Sequence, residues 1–120
     1  MASCQLNDGL TLIATPIGNL RDITHRAIDA LLKADQILCE DTRVSRKLLS
    51  RYNITTKLTA YHEHNANSLR PKIIEALQEG KKIALISDAG TPNISDPGYK
   101  LIESCLENNI EVSTVPGPTA

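Results

Sequence analysis

The stretch best suited to holding a ligand is Ser87-Asp88-Ala89-Gly90-Thr91-Pro92-Asn93-Ile94-Ser95-Asp96-Pro97. It follows a compact apolar run, Lys82-Ile83-Ala84-Leu85-Ile86, which predicts a short buried strand. Asp96 suits a helix N-cap, and Pro97 suits the first helical position, where a missing N–H costs nothing. A strand, a loop and a helix in that order put the loop beyond the strand's carboxyl end, where open α/β sheets bind ligands. Gly90 lets the backbone approach a ligand closely, and exposed N–H groups in such a turn can hold a polar one. The same residues also make an ordinary connection rich in turn formers. Both readings stand on this segment alone.

Two further loops have the same character, Thr15 to Leu20 and Pro116 to Ala120, each carrying Gly and Pro among small polar residues. Such loops suit a nucleoside-like ligand held mostly by backbone groups. There is no Gly-x-x-x-x-Gly-Lys-Ser/Thr pattern for a triphosphate and no Gly-x-Gly-x-x-Gly turn for a dinucleotide. His62-Glu63-His64 is a weak metal pattern without supporting ligands, so no metal is expected; a polar RNA-facing loop and a solvated turn are its other readings. On a helix, Arg43, Arg46, Lys47 and Arg51 fall on one arc of about 140°, with Val44 and Leu48 opposite. Four cations on one face suit RNA phosphates or a solvated surface equally well.

Strands and helices alternate to position these groups. Leu10–Ala14, Gln36–Cys39, Leu58–Tyr61, Lys82–Ile86 and Glu111–Val115 read as five strands. Between them, Asp22 caps a helix with Ile23, Ala27, Ile28, Leu31 and Leu32 at the 3.6 period, and a short helix runs from about Arg43 to Tyr52. A third helix begins near Ser68, presents Leu69, Ile73, Ile74 and Leu77, and stops at Gly80. A fourth carries Tyr99, Ile102 and Leu106 as its apolar face and ends at Asn108-Asn109. The expected fold is α/β: a five-stranded, mainly parallel sheet with helices on both faces.

Composition narrows the function classes. A formal charge of −1 gives no global attraction to nucleic acid, so any RNA contact needs a local patch. With no Phe or Trp and only Tyr52, Tyr61 and Tyr99, the composition argues against an aromatic base-stacking platform. Cys4, Cys39 and Cys105 are odd in number and widely spaced, so they read as reduced thiols, with Cys39 in the core. No targeting segment and no apolar run of membrane-spanning length is present, which points to the cytoplasm. The chain stops at a strand end entering a turn, Val115-Pro116-Gly117-Pro118-Thr119-Ala120, where a further helix is expected. It therefore reads as part of a longer protein.

Five motifs occur in order: Ala14-Thr15-Pro16-Ile17-Gly18-Asn19-Leu20, Glu40-Asp41-Thr42-Arg43, Tyr61-His62-Glu63-His64-Asn65, Ser87 through Tyr99, and Val115 through Ala120. From Gly9 onward the chain resembles the N-terminal domain of the small-subunit ribosomal RNA methyltransferase I family, within the tetrapyrrole methylase superfamily. The resemblance implies that residues 1–120 are an N-terminal domain whose C-terminal partner is absent from this sequence. It also implies S-adenosyl-L-methionine as cofactor, 2′-O-methylation of a cytidine in small-subunit rRNA or the 30S particle, and a homodimer. Residue by residue, Pro16 and Gly18 match the first cofactor-side loop, Ala89, Gly90 and Thr91 the second, with Ile94 and Ser95 just beyond it. Thr119 and Ala120 match the last contact. Asn65 is often followed by Glu in that family, whereas Ala66 follows here.

Methyl transfer to a ribose hydroxyl requires removal of its proton, for which Glu40, Asp41 and His64 are candidates. Asp41 equally suits the cap of the helix that follows. The arc Arg43, Arg46, Lys47 and Arg51 is the candidate RNA contact. Rival readings are a methylase acting on a tetrapyrrole or other small molecule, and a non-catalytic binding or oligomerisation module.

Overall fold

A computed structural model describes residues 9–15, 25–88 and 96–115. Its core is one parallel sheet of five strands: β1 (Leu10–Thr15), β2 (Gln36–Cys39), β3 (Lys57–Ala60), β4 (Ile83–Asp88) and β5 (Val112–Val115). Four helices connect them: α1 (His25–Lys33), α2 (Thr42–Arg51), α3 (Ala66–Gln78) and α4 (Asp96–Glu107). The strand order is β3-β2-β4-β1-β5. The expected parallel α/β fold is observed, and every strand pairing is parallel.

Alternation along the strands divides the core in two. Leu10, Leu38, Ile83 and Leu85 face Ile73, Ile74 and Leu77 of α3 and Leu101 and Cys105 of α4. Ile13, Ile37, Cys39, Ala84 and Ile86 face Ala27 and Leu31 of α1 and Leu48 and Leu49 of α2. Right-handed crossovers require this arrangement. The chain moves outward through β2 and β3 with α1 and α2 on one face, then returns through β4 and β5 with α3 and α4 on the other. Cys39 and Cys105 are both free and buried.

Three helices stop in the same way. Asn53, Gly80 and Asn109 take φ of 57°, 94° and 59° after α2, α3 and α4. Beyond each, an amide returns to a carbonyl five residues back: Ile54 to Leu49 at 2.9 Å, Lys81 to Ala76 at 3.2 Å, Ile110 to Cys105 at 2.8 Å. This left-handed stop satisfies carbonyls that the helix leaves open, and Ile54 and Ile110 bury their side chains beside it.

The structure departs from the sequence expectation at several points. β4 runs on through Ser87 and Asp88, where the sequence predicts the loop, and β3 ends at Ala60, before Tyr61. Tyr99 and Leu106 are 55% and 61% exposed; Ile102 of the expected face is partly buried against the core, and Leu101 and Cys105 of α4 are fully buried. Leu32 of α1 is 52% exposed, because Ala27 and Leu31 carry the contact with the sheet. Helix α3 starts at Ala66, two residues before Ser68.

Candidate functional site

Along the carboxyl rim of the sheet, strand order decides which loops are neighbours. The three Gly- and Pro-bearing loops leave from β4, β1 and β5, which are contiguous. β1 and β4 end level, with Thr15 opposite Asp88. From there the chain proceeds to α1 on one face and to α4 on the other, which makes this the switch point of the sheet. Such a point opens a crevice between the departing segments. The candidate cofactor residues Pro16, Gly18, Ala89, Gly90, Thr91, Ile94, Ser95, Thr119 and Ala120 lie outside the described residues.

Next to β4 on the rim is the end of β2, with Glu40 and Asp41. Asp41 is the N-cap of α2: its carboxylate accepts the Arg43 amide at 2.9 Å and the Arg43 guanidinium at 3.3 and 3.2 Å. The Arg43 guanidinium is held above its already high ordinary range by that hydrogen bond. Glu40 is exposed and has no hydrogen-bond or ion-pair partner among the described residues. Of the two carboxylates, Asp41 is committed to the helix and Glu40 is the freer.

Beyond β3, at the far edge of the rim, His62, Glu63 and His64 enter a turn built by Asn65. Its side chain accepts the His62 amide at 2.8 Å and donates to the Ala60 carbonyl at 2.8 Å. The His64 amide donates to His62 Nδ1 at 3.2 Å, and the two rings meet edge-on with centroids 5.7 Å apart. His62 Nδ1 thus has a partner already. Among the described residues, no three His, Cys, Asp or Glu side chains gather as a metal site would require.

Helix α2 sorts its residues cleanly. Ser45, Leu48 and Leu49 are buried, and Arg43, Arg46, Lys47 and Arg51 are all exposed. At about 100° per residue, the centre of the basic arc lies opposite the centre of the buried one. The helix begins at the rim beside Asp41 and carries its charges down the side of the molecule. Arg43 is tied to Asp41, which leaves Arg46, Lys47 and Arg51 as the freer cations.

Sequence reasoning missed Tyr61. This side chain is 2% exposed and lies in the α3–α4 half of the core. Its backbone amide donates to the Cys39 carbonyl at 2.7 Å. Its hydroxyl donates to the Pro97 carbonyl at 2.7 Å and accepts from Arg70 Nε at 3.2 Å. Burial raises the phenol above its ordinary range, opposed by Arg70. The motif Tyr61-His62-Glu63-His64-Asn65 is visible in the sequence, but a bond across 36 positions leaves no local signal.

At the opposite end of the sheet, Gly9, Leu77, Gln78 and Asn108–Glu111 line a shallow open cleft of about 370 Å³. It is remote from all the candidate chemistry.

The sequence profile of the Tetrapyrrole (Corrin/Porphyrin) Methylases matches residues 9–120. The chain belongs to this family. Curated relatives include proteins named ribosomal RNA small subunit methyltransferase I. The one from Mesorhizobium japonicum is 58% identical over 115 residues, covering 96% of this chain and 39% of the relative. Another, from Halalkalibacterium halodurans, is 54% identical, covering 92% and 38%. The chain therefore spans about two fifths of the length of these relatives. Among solved structures, a cobalt precorrin-4 methyltransferase of cobalamin biosynthesis aligns with a TM-score of 0.74 at 20% identity, covering 92% of this chain and 46% of that one. Uroporphyrin-III-C-methyltransferase from Thermus thermophilus aligns at 0.69 and 19% identity, covering 94% and 49%. At that identity the likeness to these methylases is one of fold. Among the described residues, no helix is long and apolar enough to cross a membrane.

Proposed function

We propose that this chain forms the cofactor-side half of an S-adenosyl-L-methionine-dependent rRNA methyltransferase, acting on the 2′-hydroxyl of a cytidine in small-subunit rRNA. The observation that carries the reading is positional: three Gly- and Pro-bearing loops leave contiguous strands at the switch point, beside an exposed basic helix. The identity to relatives named as small-subunit rRNA methyltransferases, over nearly the whole chain, supports RNA as the substrate class. Likeness to the two solved tetrapyrrole methylases, at 19–20% identity, is one of fold and so favours no small-molecule substrate.

S-adenosyl-L-methionine supplies, when bound, a methyl group activated on a sulfonium. The rim suits that ligand because β1 and β4 end level at the switch point, and the sequence that follows each is rich in glycine, proline and small polar residues. Pro16, Gly18, Ala89, Gly90, Thr91, Ile94, Ser95, Thr119 and Ala120 are the residues proposed to hold it. Arg46, Lys47 and Arg51, with Arg43 nearer the rim, receive RNA phosphates and fix the register of the strand. Glu40 is the carboxylate free to take the ribose proton. Holding both reactants in line supplies much of the acceleration. The remainder of the longer protein closes the crevice from the other side. A cytoplasmic homodimer is part of the same proposal.

Three measurements test it. Calorimetric titration of this chain with S-adenosyl-L-methionine is expected to show saturable binding, weaker than in a protein of the relatives' length. That longer protein should transfer labelled methyl to 30S particles and not to uroporphyrinogen, with the label mapping to a cytidine ribose. Transfer to uroporphyrinogen alone would make the small-molecule reading correct. Sedimentation of the longer protein reads the dimer.

A further inference from the structure

The described part of the rim contains one buried polar link between the two ends of the return path β3-α3-β4-α4, and the proposed mechanism does not use it. Tyr61 follows β3 directly, and its phenol crosses the α3–α4 half of the core to Pro97 in the first turn of α4. Pro97 lies two residues after Ser95, the last residue of the proposed cofactor segment. A helix carbonyl has a second lone pair beyond the one its helical amide uses, so Pro97 accepts the phenol without giving up helix bonding. The phenol oxygen has one proton and accepts as well: it gives to Pro97 and receives from Arg70 on α3. Both capacities are satisfied at a site that is 2% exposed, and a buried hydroxyl keeps such partners at real cost when they are lost. Its backbone is fixed too, through the hydrogen bond its amide donates to the Cys39 carbonyl at the end of β2.

We infer that Tyr61, backed by Arg70, is a positioning residue for cofactor binding: it sets where α4 begins relative to the carboxyl rim. Helix α4 begins at the residue that follows the proposed cofactor segment 89–95 in the sequence. The inference rests on the reading of that segment as part of the cofactor site. Phenylalanine fills the ring's space and removes only the oxygen, so Tyr61→Phe isolates the clamp from the core packing. In that variant Pro97 loses an extra donor, and the Arg70 guanidinium loses an acceptor at the edge of an apolar cluster. Adding Arg70→Met removes the second consequence and leaves the first.

The test measures amide hydrogen exchange and cofactor binding in the wild-type chain, Tyr61→Phe and Tyr61→Phe/Arg70→Met. The Leu101 amide, which a regular α-helix pairs with the Pro97 carbonyl, is expected to exchange about tenfold faster in both variants. Leu31 and Leu48, in the other half of the core, should be unchanged. Affinity for S-adenosyl-L-methionine by calorimetry is expected to fall about tenfold in both, since the other described bond of Arg70, to Asn67, stays within α3 and only the bond to Tyr61 leads to α4. Uniform acceleration at all these amides would make Tyr61 an ordinary core residue and overturn the inference. So would local acceleration with unchanged affinity, or unchanged exchange at Leu101. If neither the wild-type chain nor a protein of the relatives' length takes up S-adenosyl-L-methionine, the cofactor reading fails by itself. The exchange at Leu101 then decides the clamp alone: local acceleration upholds it and any other pattern overturns it.

Discussion

At the amino end of the sheet backbone bonds are the main described fasteners, joined by the Asp35 carboxylate, whereas at the carboxyl end side chains fix three helix starts on top of backbone bonds such as Tyr61 to Cys39. Gly9 accepts from the Ile83 amide at 3.1 Å while its neighbour Leu10 donates to the Glu111 carbonyl at 3.0 Å, so the start of β1 is pinned between β4 and β5. Asp35, just before β2, exchanges bonds with Lys82: its amide donates to the Lys82 carbonyl at 2.7 Å, and its carboxylate accepts the Lys82 amide at 2.8 Å. The left-handed stops at Asn53, Gly80 and Asn109 lie at this end as well, since the helices run opposite to the strands. The carboxyl rim instead depends on Asp41 at the start of α2, Asn65 at the start of α3 and Tyr61 at the start of α4. A backbone-held end tolerates little change in conformation. A rim fastened by side chains can vary its loops above a fixed platform, which is where open α/β folds place chemistry.

The largest expected effect is at the closed end. Gly9 has φ of 134°, and a Cβ there would overlap the Glu111 carbonyl oxygen, a backbone atom that cannot swing away. Gly9→Val should therefore cost about 3 kcal/mol in urea unfolding, combining left-handed strain with the overlap. Cofactor affinity of the fraction still folded should be unchanged. A large affinity loss at full folding would break the separation of the two ends. Conversely, Gly90→Val should weaken S-adenosyl-L-methionine binding by roughly 100-fold, about 2.7 kcal/mol, with the unfolding midpoint nearly unmoved. Retained affinity by calorimetry would remove that segment from the site.

Alkaline pH should loosen the α4 side of the core. Burial pushes the Cys105 thiol up to about 11, from an ordinary value of 9.0. Between those values the folded state holds a proton that the unfolded state releases, so stability falls as pH rises. The loss by pH 11 is roughly 2 kcal/mol. Cys105→Ala, less stable at neutral pH because of its cavity, should lack this part of the slope. An identical slope in the variant would assign the alkaline loss elsewhere. On the basic arc, reversing Arg46, Lys47 and Arg51 to Glu should weaken rRNA binding about tenfold or more at moderate salt. It should also reduce the salt slope by roughly three, one for each phosphate no longer neutralised. Unchanged RNA affinity would leave α2 as a solvated face. Arg43 is spared here because its guanidinium is engaged with Asp41.

The strands were legible because parallel strands buried on both faces read as short continuous apolar runs, and each is bounded here by turn residues. Helix α4 was legible in position but not in orientation. Tyr99, Ile102 and Leu106 make one apolar stripe, and Pro97, Leu101 and Cys105 make a second at spacing four. Only packing against the sheet chooses between them. The second wins because Pro97 and Gly98 are buried as the helix leaves the rim, which turns Leu101 and Cys105 inward and Tyr99 outward. The candidate loops were visible through their glycines and prolines, whereas their adjacency depends on β1 lying between β4 and β5. Strand order is a long-range property that no local pattern carries. Tyr61 failed for the same reason: its ring reads as strand residue, and its function depends on a partner brought near by the fold.

The smallest effect falls on Asp41, and it separates two roles that one carboxylate can play. As an N-cap, Asp41 needs an oxygen acceptor and not a charge, so Asp41→Asn should cost only a few tenths of a kcal/mol while Asp41→Ala costs about 1 kcal/mol. The Arg43 ion pair adds little, because the Arg43 side chain is 89% exposed and solvent screens the charges. A proton acceptor, by contrast, needs the charge, and an amide in its place abolishes the chemistry with the cap intact. In a protein of the relatives' length, Asp41→Asn is expected to retain methyl transfer to 30S particles near the wild-type rate. Glu40→Gln, at the exposed neighbour, should slow transfer by about 100-fold or more without moving the unfolding midpoint. Loss of transfer in Asp41→Asn at unchanged stability would reverse the assignment. Asp41 would then both cap the helix and do the chemistry, and the carboxyl rim would have joined its fastener to its reactive group.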